Sequence, residues 1–223
     1  MSEELPPPRA DRFPELRPEG EWVREIPAGT LLSRIYKAGG PHPVDWHEFR
    51  EYGPLDSRFD PHPEPTGEHP DEGVYYAVLE PQGEHAFPAA AFAACLLEAF
   101  QSTRMVQRSE GAPTLVMFEN ARPLRLLDLS DSDWLAVAGG NAAISSGERS
   151  RARAWARAIR VAYPELDGVV SASSVVPPVR IAALWSPARD ALPRHPLARL
   201  RLDRDELTSL IDAAADRYGY LVL

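Results

Sequence analysis

Glu98 is the single charged or polar side chain among the fifteen residues 86 to 100, AFPAAAFAACLLEAF. A stretch this apolar must be buried, and the rest of the chain has to fold around it. Carboxylates are almost never fully buried unless paired, so Glu98 requires a cation, a hydrogen-bond donor or a proton of its own. If the stretch is helical, Glu98 shares a face with Ala91, Ala94 and Cys95, whose small side chains leave open space beside the carboxylate. That combination marks a candidate site; the alternative is a structural ion pair with a core arginine.

A chain of 223 residues with 44% hydrophobic and 26% charged residues has enough apolar material for one well-cored domain. Its formal net charge of -9 argues against a nucleic-acid partner held through phosphate contacts, which needs a basic stripe. A local arginine pocket for phosphate remains compatible with that charge. Lys37 is the only lysine among 24 basic residues, so nearly every cation is a guanidinium, suited to diphosphate or carboxylate; the bias equally fits genome composition. Cys95 is alone, which rules out an intrachain disulfide. No signal peptide is read in MSEELPPPRA and no apolar run is long enough to span a bilayer, so the expectation is a cytoplasmic protein with no membrane partner.

Residues 1–25, with Pro6, Pro7, Pro8, Pro14 and Pro18 among charges, read as an extended surface arm or a disordered one. The folded domain spans residues 26–190, and residues 191–223 supply a C-terminal helix and tail packed on it. TLLSRIYK (30–37) reads as a strand with Leu32, Arg34 and Tyr36 on one face and Leu31, Ser33 and Ile35 on the other. Residues 39–71 carry seven prolines between positions 41 and 70 and predict a long ordered loop. GVYYAVLE (73–80) is a second strand, and Pro88 is placed to open the helix that carries Glu98. Further strands are expected at 114–119, 123–129, 167–176 and 179–185. A short helix at DSDWLAVA is capped by Ser130 or Asp131, an amphipathic arginine-rich helix runs over 148–163, and a last helix falls between 203 and 218. The apolar end GYLVL is a candidate edge for pairing across a homodimer. Strands with helices at irregular intervals predict an α+β fold, a compact mixed sheet with flanking helices.

Phosphate-loop, dinucleotide-fingerprint, zincin and nucleophile-elbow motifs are all missing from the sequence. His42, His47, His62, His69 and His85 cluster around the proline-rich loop, but their spacing matches no familiar zinc pattern, and no metal site is assigned. What remains is a set of polar residues set in apolar surroundings: Arg34, Arg58 in LDSRFDPH, Tyr75, Glu98, Ser171 and Ser173. Arginines give bidentate contacts to phosphate, while a carboxylate can accept from a ribose hydroxyl or stabilise an oxocarbenium-like centre. Each residue also has a structural reading: Arg34 paired with Glu98, Tyr75 a core tyrosine, the serines satisfying strand backbone.

The order of these residues resembles the RES-domain family. That family reads as an LxR strand, an RF or RW step, a vYxA strand, an apolar helix ending in Glu and a DGxxxxS strand. The corresponding elements here are LLSRIY with Arg34, SRFDPH with Arg58, GVYYA with Tyr75, CLLEAF with Glu98 and LDGVVSAS with Ser173, covering residues 28 to 187. The family serine stays open between Ser171 and Ser173, which strand alternation puts on one face. The resemblance implies a fold related to ADP-ribosyltransferases and cleavage of NAD+ between nicotinamide and ribose, by hydrolysis or phosphorolysis. It implies NAD+ as substrate rather than resident cofactor, inorganic phosphate as a co-substrate in the second case, and a toxin partnered by an Xre-like antitoxin. Glu98, Arg58 and Tyr75 take catalytic roles in that picture, with Arg34, Ser171 and Ser173 binding the ligand. ADP-ribosyl transfer to a protein or small-molecule acceptor, and a catalytically silent module that binds a nucleotide or partner, are the competing readings.

Overall fold

The computed structural model describes residues 4–17, 20–79 and 89–223. In chain order the elements are β1 (Val23–Ile26), β2 (Leu31–Lys37), β3 (Tyr52–Gly53), β4 (Gly67–Glu68), β5 (Val74–Leu79), α1 (Ala89–Phe100), β6 (Met105–Val106), β7 (Pro113–Glu119) and β8 (Leu124–Asp128). There follow α2 (Trp134–Val137), α3 (Ala143–Ser146), α4 (Arg149–Ala162), β9 (Gly168–Ala172), β10 (Arg180–Trp185), β11 (Ala198–Arg201), α5 (Thr208–Tyr218) and β12 (Leu221–Val222). Among the described residues, eight strands join in one sheet of order β1-β8-β9-β10-β5-β2-β7-β11, with β8 and β9 parallel and the other neighbours antiparallel. The fold is a mixed α+β one, a large mixed sheet flanked by helices.

Strand alternation divides the core. On one face, Leu32, Tyr36, Tyr75, Ala77, Val116, Phe118, Leu126, Val170 and Leu184 join a single apolar cluster with Trp46 and Phe49 from the long loop. The opposite face is covered in two patches. The first holds α1 and α5 over Val78 and Leu115; the second holds α4 and α2, with Trp134, Trp155, Phe13 and Tyr163 in mutual ring contact. Residues 4–17 follow an extended path over this second patch, where Leu5 is buried and Trp155 Nε1 and Tyr163 Oη donate to Pro6 and Pro14 carbonyls.

One break in the ladder matters for everything that follows. β2 pairs with β7 along all seven of its residues, from Leu31↔Glu119 to Lys37↔Pro113. β5 likewise pairs with β10 from Val74 to Leu79. Between β2 and β5, however, the pairs among the described residues are only Leu32↔Leu79 and Ser33↔Val78. From Arg34 onward the two strands part.

Some sequence expectations shift in detail. The consecutive strands at 114–119 and 123–129 are present as β7 and β8, which stand apart in the sheet, β7 beside β2 and β8 between β1 and β9. Neither Ser130 nor Asp131 caps α2: their N–H groups both donate to Asp128 Oδ1, and Ser132 Oγ accepts from the Trp134 N–H instead. GYLVL supplies β12, which lies parallel to β6 within the chain. Pro88 and His85 lie outside the described residues, as does the segment 80–88 joining β5 to α1. No helix among the described residues is long and apolar enough to cross a membrane.

Candidate active site

Where β2 and β5 diverge, a cavity of about 350 Å³ opens, within the size range of small-molecule sites. One wall is Ser33, Arg34 and Ile35 of β2, and the other is Tyr76, Ala77 and Val78 of β5. Cys95 and Glu98 of α1, Asp56 to Phe59 of the long loop, Gln101, Arg149, Ser171 and Ser174 also line it.

Glu98 reaches this cavity because α1 buries every residue from Ala91 to Leu97 and leaves Glu98, near its C-terminal end, half-buried at the rim. Its carboxylate makes no ion pair among the described residues. Instead Oε1 accepts from Ser173 Oγ at 2.6 Å and the Ser174 N–H at 3.1 Å, and Oε2 accepts from Gln101 Nε2 at 2.8 Å. Donors on both oxygens fix the plane of the carboxylate. Ser173 is itself held, its Oγ accepting from the N–H groups of Val175 and Val176 in the turn after β9. The two serines therefore divide the work: Ser171, 2% exposed, lines the cavity, while Ser173, 3% exposed, orients Glu98.

Arg34 sits where the ladder stops. Its guanidinium carbon lies 4.1 Å from the centroid of the Tyr75 ring, and Nη1 is buried with no hydrogen-bond partner among the described residues. A buried donor left unmade costs roughly 1–3 kcal/mol, so this nitrogen is set to gain from an incoming acceptor. Arg58 enters from the long loop and donates from Nη1 to the Gly147 carbonyl at 2.6 Å. Burial first, and the neighbouring charge of Arg149 second, push the Arg58 guanidinium below its usual range, against the pull of Glu98 and Asp56. With Arg34 and Arg58 both in its lining, the cavity offers guanidinium donors to an anion.

Tyr75 does not line the cavity. Alternation turns it to the other face, where Oη donates to the Trp46 carbonyl at 2.9 Å and the ring meets Phe49 and Phe118. Burial raises its phenol to about 12, with the Arg34 charge acting against that rise. Its neighbour Tyr76 faces the cavity, donating to Ser57 Oγ at 3.2 Å, and burial likewise raises it to about 12. Arg34, Arg58, Glu98 and Ser171 thus line one space, Ser173 reaches them through its hydrogen bond to Glu98, and Tyr75 lies outside the lining with its ring against the Arg34 guanidinium. Sequence reasoning missed Tyr76, Gln101 and Arg149. The YY doublet puts one tyrosine on each face of β5 without saying which faces the cavity, and Gln101 lies one helical turn beyond Glu98. Arg149 carries no local signal, since it is one of several arginines on α4.

No protein-family model matches the chain, and no curated protein matches it by sequence. The fold is similar to that of a chain in the crystal structure of the M. tuberculosis MbcT–MbcA toxin–antitoxin complex, with a TM-score of 0.53 and 17% identity, covering 83% of this chain and 91% of that one. At that identity the likeness is one of fold.

Proposed function

We propose that this chain is a RES-type enzyme that breaks the nicotinamide–ribose bond of NAD+ and serves as the toxin of a toxin–antitoxin pair, with an Xre-like antitoxin as its partner. The observation that carries the reading is Glu98, an oriented carboxylate on the wall of a cavity that also presents Arg34 and Arg58. Loss of nicotinamide moves the electron pair of the glycosidic bond onto the pyridinium nitrogen and leaves positive charge on the ribose carbon. A fixed carboxylate stabilises such a centre, as in glycoside cleavage. Arg34 and Arg58 hold the diphosphate, and the dipole of Ser171 assists at a ribose hydroxyl. Water, or inorganic phosphate as co-substrate, then attacks the ribose carbon, and the proton released from water passes to Glu98 or to solvent. Similarity of fold to a chain from a toxin–antitoxin complex supports the toxin role.

The test is nicotinamide release from NAD+ by the purified protein, with and without phosphate. Wild-type protein is expected to release it, and Glu98→Gln to lower kcat by about 10²-fold or more, the scale of losing an electrostatic transition-state contact. A folded wild-type protein that releases none under either condition overturns the proposal, and label retained on an added acceptor would redirect it to ADP-ribosyl transfer.

A further inference from the structure

Two residues of the cavity lining belong to one chain of hydrogen bonds that begins on α4 and ends on Glu98. Arg149 Nη2 donates to Gln101 Oε1 at 3.1 Å, and Gln101 Nε2 donates to Glu98 Oε2 at 2.8 Å. The direction is forced by chemistry: a guanidinium can only donate and a carboxylate only accept, so the Gln101 amide between them has a single workable orientation. Arg149 is tied in turn to Asp56, Nη1 to Oδ2 at 2.6 Å, and Asp56 also meets Arg153 Nη1 at 3.3 Å. Asp56 stands two residues before Arg58, so the same arginine connects α4, the Arg58 loop and the end of α1.

We propose that Arg149 and Gln101 form a positioning pair for Glu98: the arginine fixes the amide, and the amide nitrogen holds Oε2 so that the carboxylate keeps its place beside the cavity. This inference rests on the NAD+-cleaving reading for its kinetic effect, but the geometry it claims can be examined without turnover. Neither residue is asked to touch the reacting atoms. Their contribution is to keep Glu98 from turning toward Arg58 or solvent when the ligand arrives.

Gln101→Glu separates positioning from simple bracing. The replacement has the same shape and still accepts from Arg149, now as an ion pair, so a bracing role would be kept or strengthened. The donor to Glu98 is lost and an acceptor stands in its place. Expected are a cooperative thermal melt and a kcat reduced at least about ten-fold with a smaller change in the KM for NAD+; Gln101→Leu, which neither donates nor accepts and brings no charge, is expected to lower kcat in the same way. Wild-type kcat in a folded Gln101→Glu protein overturns the pairing while leaving NAD+ cleavage intact. Should the wild type release no nicotinamide, the functional reading fails by itself, and crystal structures of wild type and Gln101→Glu decide the rest: Glu98 displaced from Ser173 in the variant supports the pair, and Glu98 unmoved overturns it.

Discussion

Arg34 and Glu98 meet the same problem, a charge drawn out of water, with different solutions. Glu98 is satisfied by hydroxyl, amide and backbone donors, whereas Arg34 keeps one nitrogen without a partner among the described residues. An unmatched buried donor opposes folding and favours binding, which makes the two effects separable in one variant. Arg34→Met is expected to leave stability within about 1 kcal/mol of wild type, since relief of the lone donor offsets the lost contact with the Tyr75 ring. The same change is expected to raise the KM for NAD+ at least about ten-fold, the loss of one charge-assisted hydrogen bond. Thermal melts beside steady-state kinetics check both halves; a large fall in stability with unchanged KM would show that Arg34 is a core residue and no more.

At the scale of elements, Gly168 decides whether the serine-bearing strand can exist. Its φ is +153°, and a Cβ placed there would lie 2.0 Å from the Ala183 carbonyl oxygen on β10. Only glycine lets β9 begin so close to its neighbour. Gly168→Ala is expected to destabilise the protein by roughly 1–3 kcal/mol, read as a lowered urea midpoint, and to impair activity because Ser171 lies on the same strand and Ser173 directly follows it. Strands of this kind were legible in the sequence because their apolar residues are continuous or alternate, as in LLSRIYK and VRIAALW, and α1 was legible because it is apolar all round. Short elements such as β3, β4, β6 and β11 were not, since two to four residues carry no period and their pairing comes from distant partners. The site was legible to the extent that it consists of polar residues stranded in apolar runs, which is true of Arg34, Glu98, Ser171 and Ser173. Arg58, in LDSRFDPH, stood in the same set, although its neighbours are largely polar. Tyr75 shows the limit: a doublet of tyrosines says that one faces each side, and only the placement of β5 against α1 says which.

For the molecule as a whole, the loop from 50 to 62 is secured by a buried carboxylate. Burial acts to raise Asp60, but the hydrogen bond to His62, the Leu55 N–H and the charge of Arg50 outweigh it and hold the carboxyl well below the usual range. A depressed folded value means stability that is complete above the unfolded carboxylate pKa of about 4 and is lost as pH falls below it toward the folded one. Unfolding measured against pH is therefore expected to show a loss of stability below about pH 4 that Asp60→Asn flattens, at the expense of stability near neutrality. An equally steep acid limb in the variant would assign the effect to other carboxylates. Because Arg58 lies on this loop, the architecture of the site and the acid tolerance of the fold share one anchor.

The parting of β2 from β5 has a mechanical consequence. Each strand is fastened on its far side, β2 to β7 and β5 to β10, so the two walls of the cavity belong to separate rafts of hydrogen bonds joined, among the described residues, by the pairs at Leu32 and Ser33. A ligand reaching from Arg34 to the β5 wall and to Glu98 would supply cross-links that the backbone leaves unmade there. Occupancy should then tighten the sheet itself, slowing amide exchange along β2 and β5 beyond the contact points and raising the melting temperature with ligand concentration.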